Sequence, residues 1–161
     1  MVTGLQVHYS SMTNEWSTPG DLFERLDREF HFTLDPCATA DNAKCVRHYT
    51  QADDGLLQDW SNDIVFMNPP YGRVIGAWIE KAHAESKRGA IVVCLIPART
   101  DTSYWHDHVM QADEIRLLRG RLKFGGAKAY APFPSAIVIF DKRARPDLAQ
   151  RPLWRSLCAA R

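Results

Sequence analysis

Two consecutive prolines, Pro69 and Pro70, end the apolar run Ile64-Val65-Phe66-Met67, with Asn68 just before them and Tyr71-Gly72 just after. Proline has no backbone N–H, holds φ fixed and restricts the residue in front of it, so the chain can neither continue as a ladder strand nor enter a helix here. It must leave a buried strand as a stiff extended loop with outward carbonyls. The side-chain oxygen of Asn68 and the carbonyl of Pro69 then form a pair of acceptors for both hydrogens of one planar amino group, and Tyr71 offers a flat face to a planar ring. Such a clamp suits adenine. Its exocyclic nitrogen is a poor nucleophile until its lone pair is drawn out of the ring, and two fixed acceptors would do this by position and electrostatics alone.

Around this loop the chain alternates strands and helices. Thr18-Pro19-Gly20-Asp21 has a helix-start pattern with Thr18 as N-cap, and Leu22, Phe23, Leu26 and Phe30 fall on one helical face. Phe32 to Asp35 reads as a short strand ending in a turn, and a polar stretch follows. Ile64 to Met67 is a buried strand, and Val74, Trp78, Ile79 and Ala82 mark the inward face of the next helix. Ala90 to Ile96 is too continuously apolar for a surface position. Tyr104, Trp105, His108 and Val109 suggest a helix and Glu114 to Leu118 a strand. A turn-rich loop, 119–135, leads to the strand Ala136 to Phe140. This alternation implies an α/β fold with a largely parallel sheet, the strand after the long hairpin running antiparallel.

Length and composition suit one globular domain over residues 1–161, with 45% apolar and 24% charged residues. No stretch nears the roughly 20 apolar residues that span a bilayer, and the N-terminus lacks the order of a signal peptide. A cytoplasmic protein is expected, and no membrane partner. Cys37, Cys45 and His48 fall close together, but a second close pair of metal ligands is missing and no metal is expected. The net charge of +1 hides an asymmetry: residues 1–113 hold 9 Lys/Arg against 16 Asp/Glu, and residues 114–161 hold 11 against 3. A basic end suggests a polyanionic partner, most simply nucleic acid.

Asn68-Pro69-Pro70-Tyr71 matches the catalytic motif of amino-group methyltransferases that use S-adenosylmethionine. From about Asn14 to Lys142 the chain resembles the small phage-type DNA adenine (Dam-like) methyltransferases. The resemblance is carried, in order, by Trp16-Ser17-Thr18-Pro19, Leu34-Asp35-Pro36-Cys37-Ala38, Asp54-Gly55-Leu56 with Trp60, the Asn-Pro-Pro-Tyr element and Ala131-Pro132-Phe133-Pro134-Ser135. It implies a phage- or prophage-encoded enzyme that methylates adenine in double-stranded DNA inside a bacterial host. It also implies a Rossmann-like methyltransferase sheet. The interval from Pro36 to Met67 has only 32 residues, room for one helical crossover and not two, so the sheet is expected to be abbreviated.

Asp35 ends a strand, where open α/β sheets bind ligands, and a carboxylate there can accept hydrogen bonds from the methionine ammonium of the cofactor. The resemblance adds Pro36, Cys37 and Ala38 as its turn, Thr18 and Pro19 as contacts of the methionine carboxylate, and Asp54 as the partner of the cofactor's adenine. Trp16 and Trp60 are candidate pocket walls. The turn departs from the glycine-rich form, since no glycine lies between Gly20 and Gly55.

A base inside a duplex must be flipped out and stacked before its amino group can react. Tyr71 is the expected first platform. The 119–135 loop interleaves Arg121, Lys123 and Lys128 with Phe124, Tyr130 and Phe133, a pattern suited to phosphates and bases, with Phe133 as the second wall. The tail from 143 to 161 is expected to be a loose DNA contact or a frayed end. His106 and His108 receive no catalytic role. Two rival readings stand beside this one: an inactive nucleic-acid-binding module of the same fold, and the same clamp acting on cytosine, RNA or a protein glutamine.

Overall fold

The computed structural model describes residues 16–143 and 154–158; residues 1–15, 144–153 and 159–161, with Asn14 and most of the basic tail, lie outside the described residues. Helix α1 (Gly20–Phe30) leads to β1 (Leu34–Asp35), β2 (Arg47–His48) and β3 (Ile64–Met67). Helix α2 (Ile75–Lys87), β4 (Ile91–Pro97), the short α3 (Ser103–Asp107), β5 (Glu114–Arg119), β6 (Ser135–Phe140) and β7 (Trp154–Cys158) follow. The strands form one sheet of seven in the order β2-β1-β3-β4-β6-β5-β7. Among the described strands only β6 runs antiparallel to its neighbours, β4 and β5. This is the expected abbreviated α/β sheet, mostly parallel with an antiparallel strand toward its C-terminal end.

Helices cover both faces. Phe66 is in register with Val93, and Val93 with Ile139, so the three side chains share a face. Phe23 of α1 meets Phe66 there, edge-on at 5.1 Å. Phe140, one residue on, points to the other face, where His83 of α2 stacks on it at 5.5 Å. The core between these layers holds apolar residues anticipated from the periodicity: Leu22, Leu26 and Phe30 on α1, Trp78, Ile79 and Ala82 on α2, residues 91–96 of β4 and residues 136–140 of β6.

One charged link crosses from α1 to the sheet. Arg116 of β5, whose side chain is 3% exposed, bonds Glu29 through Nη1 at 2.6 Å and Glu114 through Nε at 2.9 Å. A buried guanidinium is tolerable only with such a full complement of carboxylate partners, and losing one would leave a charge without compensation.

Local structure departs from the sequence reading, or fills what it left open, at several points. Thr18 does not cap α1: Pro19 stands at the N-cap, no side chain caps the helix, and the Thr18 hydroxyl is engaged elsewhere. The polar stretch after Asp35 contains β2, a two-residue edge strand paired with β1 and clasped by Arg47, which reaches Asp63 at 2.6 Å. Both connections between β1 and β3 dispense with an α-helix; a single 3-10 turn, Gly55–Leu57, suffices. Within the tail, residues 154–158 form β7, which covers the outer edge of β5, a row of backbone groups otherwise left unpaired.

Candidate active site

From β1 the chain steps outward to β2 and returns to lay β3 on the opposite side of β1, so strand order reverses between β1 and β3. Crevices at the carboxyl ends of strands beside such a reversal are the ligand sites of open α/β sheets. Asp35 ends β1, and Asn68 directly follows β3. Both line one cleft of about 420 Å³, solvent-open space included, together with Trp16, Thr18, Cys37, Pro69, Pro70 and Tyr71. Asn42, Lys44 and Phe66 also line it. Sequence reasoning missed these three; their only signal was proximity to Asp35 or to the loop.

The Asn68 amide is held from both ends. Its nitrogen donates to the carbonyl oxygen of Trp16 at 2.8 Å and to Oγ1 of Thr18 at 3.0 Å. Its oxygen accepts from the Tyr71 hydroxyl at 2.9 Å. Burial holds the Tyr71 hydroxyl well above its ordinary pKa, so it remains a donor. An amide oxygen has two lone-pair directions, which leaves Oδ1 able to accept a second hydrogen.

Asp35 is buried, and its carboxylate accepts backbone N–H bonds from Lys44 at 3.0 Å and, weakly, from Cys37 at 3.4 Å. Burial outweighs these donors and raises its pKa. A carboxylate short of solvent and facing a cleft is suited to a cationic ligand group such as an ammonium. Beside it, burial and then the Asp35 charge push the Cys37 thiol well up, which keeps it neutral and unreactive. Among the described residues no group of three His, Cys, Asp or Glu side chains is placed to hold a metal ion.

Several expected contacts do not reach the cleft. Asp54 caps the 3-10 turn through a bond from the Leu56 N–H, and the next residue, Gly55, packs against the Pro36 carbonyl so closely that a Cβ would lie 2.0 Å from it. The Asp54 segment therefore buttresses the Asp35 turn from behind. Trp60 is core, fully buried, stacked at 6.2 Å on Trp78 and bonded to the Gly55 carbonyl. Pro36 and Ala38 are buried within the turn, and the Ala38 N–H bonds Tyr49. Pro19 lines a second groove at the start of α1, with Asp21, Arg121, Lys123 and Tyr130.

The aromatic residues expected to receive a base pack on one another. Tyr71 is 6% exposed, with Phe133 edge-on at 5.6 Å and Trp16 at 6.2 Å; Trp16 in turn meets Phe133 at 4.9 Å and Phe124 at 5.1 Å. Tyr71 thus presents no open face in this arrangement, and Phe124, buried in the core, is a support and no surface contact. Phe133 is half-buried, while Arg121, Lys123 and Lys128 are exposed as a phosphate-contacting role requires. Two backbone bonds pin the loop: Gly125 N–H to Ser17 at 2.7 Å, within an antiparallel bridge, and Ala98 N–H to Pro134 at 2.9 Å. No helix among the described residues is long and apolar enough to cross a membrane.

The model of one protein family, described as DNA N-6-adenine-methyltransferase (Dam), matches residues 8–146. A DNA N-6-adenine-methyltransferase of Escherichia phage T1 is 29% identical over 102 residues, 62% of this chain and 42% of that protein. The chain thus matches less than half the length of that relative. "Putative methyltransferase YfdM" of Escherichia coli (strain K12) is 38% identical over 65 residues, 36% of this chain and 71% of that protein.

Proposed function

The chain belongs to the DNA N-6-adenine-methyltransferase family, and we propose that it methylates the exocyclic amino nitrogen of an adenine turned out of double-stranded DNA at specific sites, with S-adenosylmethionine as donor. The observation that carries this reading is the convergence of Asn68 and Asp35 on one cleft where strand order reverses. S-adenosylmethionine, when bound, supplies a methyl group on a positively charged sulfur. Asp35 would take up its ammonium, Trp16 and Cys37 would wall it, and Pro36 and Ala38 would support the turn from within.

The chain's own work falls on the amine. Asn68 Oδ1 and the Pro69 carbonyl accept its two hydrogens, which favours the geometry in which the nitrogen lone pair leaves conjugation. Neither oxygen is basic enough to take a proton from a neutral amine. The proton therefore stays on nitrogen until that atom carries positive charge, and is then lost to water. Tyr71 and Phe133 would wall the flipped base once it replaces their contact with each other. Arg121, Lys123 and Lys128 would hold phosphates. The likeness to the phage T1 protein supports a phage or prophage origin and action in the cytoplasm of a bacterial host.

One observation favours a second reading, an inactive nucleic-acid-binding module: the turn after Asp35 contains no glycine. Titration of S-adenosylmethionine in a calorimeter separates the two. Sequencing able to detect modified bases, on DNA from cells expressing the chain, tests the activity itself. N6-methyladenine at a defined sequence is expected; unmodified adenine throughout, with the cofactor bound normally, would overturn the proposal.

A further inference from the structure

We propose that Thr18 is a positioning residue that holds the Asn68 amide in the sense set by the Trp16 carbonyl. The inference rests on Asn68 acting as the acceptor of the target amine. Nδ2 carries two hydrogens, and two acceptors meet it: the Trp16 carbonyl at 2.8 Å and Oγ1 of Thr18 at 3.0 Å. A carbonyl can only accept, so the nitrogen must face Trp16 and the oxygen must point the other way. Turning the amide over would set Oδ1 against the Trp16 carbonyl and lose that bond, while Oγ1 of Thr18, taking the second hydrogen, fixes the plane of the group.

Thr18 lines the cleft beside Asn68, its hydroxyl is taken by the Asn68 amide, and it makes no cap to the helix that follows. Its position is fixed from the helix side: Pro19 at the N-cap accepts the Phe23 N–H at 3.1 Å, and Leu22 anchors the first turn in the core. Asn68 directly follows β3, and Pro69 and Pro70 stiffen the chain beyond it. A rigid loop and a rigid helix start are thus joined through one hydroxyl and one carbonyl.

Thr18→Val keeps the shape and deletes the acceptor, whereas Thr18→Ser keeps the acceptor. Methyl transfer to DNA at saturating S-adenosylmethionine, and cofactor affinity by calorimetry, are read for each. In Thr18→Val, kcat should fall about tenfold with the cofactor Kd within about twofold of the parent, and Thr18→Ser should recover most of the loss. Should Thr18→Val melt too low to assay, Thr18→Ala against Thr18→Ser reads the same contrast. Added to Asn68→Ala, Thr18→Val should cost nothing more, because no amide is left to orient. An unchanged kcat, a weakened cofactor Kd with kcat intact, or a further loss in the double variant would each overturn the inference. Asn68→Ala assayed alone separates the two levels: near-normal turnover there sinks the role of Asn68, whereas an impaired Asn68→Ala beside a normal Thr18→Val sinks only the role of Thr18.

Discussion

The Tyr71 hydroxyl donates to Oδ1 of Asn68 across 2.9 Å, so the oxygen assigned to the target amine already has one partner before any base arrives. Tyr71→Phe removes that bond and keeps the ring. Turnover should stay within about fivefold, since the second lone-pair direction of Oδ1 serves the amine; Asn68→Ala should lose about 100-fold or more with cofactor and DNA still bound. Single-turnover methylation of a short duplex reads both. A loss in Tyr71→Phe as large as in Asn68→Ala would mean the hydroxyl is part of the clamp.

Asp35→Asn should separate affinity from stability. The carboxylate's pKa is raised by burial, so the folded state holds its proton more tightly than the unfolded chain does, and ionised Asp35 costs stability at neutral pH. That cost is absent below about pH 4, where both states are protonated, and grows as pH rises through the folded value. The amide variant should bind S-adenosylmethionine at least about tenfold more weakly while its ligand-free melting temperature does not fall. Unchanged cofactor affinity in a folded variant would remove Asp35 from the site.

Replacing Arg121, Lys123 and Lys128 together with Gln should weaken binding to all DNA sequences alike and flatten the salt dependence of affinity by about one unit of slope per lost phosphate contact. Cofactor affinity should not change. The three side chains are exposed and none of them lines the Asp35 cleft. A slope equal to the parent's would place the DNA on another surface.

A pH dependence of stability should come from His83. Its Nδ1 lies 3.3 Å from Nδ1 of His108, its ring stacks on Phe140, and Lys87, Lys142 and Asp113 bear on it. Burial first, then Lys87 and His108, lower its pKa. The unfolded chain therefore takes up a proton more readily, so the contribution is complete above about pH 6.5 and is lost as pH falls below it. Melting temperature should drop from pH 7 to pH 5, and His83→Gln should flatten that drop. Parallel curves for the two proteins would assign the acid sensitivity elsewhere.

What was legible in the sequence was whatever had no alternative partner. Pro69 and Pro70 forbid both regular structures, so the loop at Asn68 follows from covalent geometry; the unbroken apolar run at Ile91–Ile96 can only be interior. Thr18 shows the limit of local rules. Thr-Pro-x-Asp fits a helix start in every respect, yet the hydroxyl is taken by an amide 50 residues away. Strand β2 is two polar residues at an edge, too short to carry a period, and β7 exists because β5 needed a neighbour. Trp60 read as a pocket wall and Phe124 as a loop contact because aromatic rings suit pockets and cores equally, and only packing decides between the two.

The antiparallel bridge between Ser17 and Gly125 gives the basic loop a direct mechanical link to the chemistry. Ser17 lies between the two residues that hold the Asn68 amide, so Gly125 cannot be displaced without tugging on Trp16 and Thr18 together. The bridge thus couples the seat of the basic loop to the backbone on either side of Ser17 that holds the Asn68 amide.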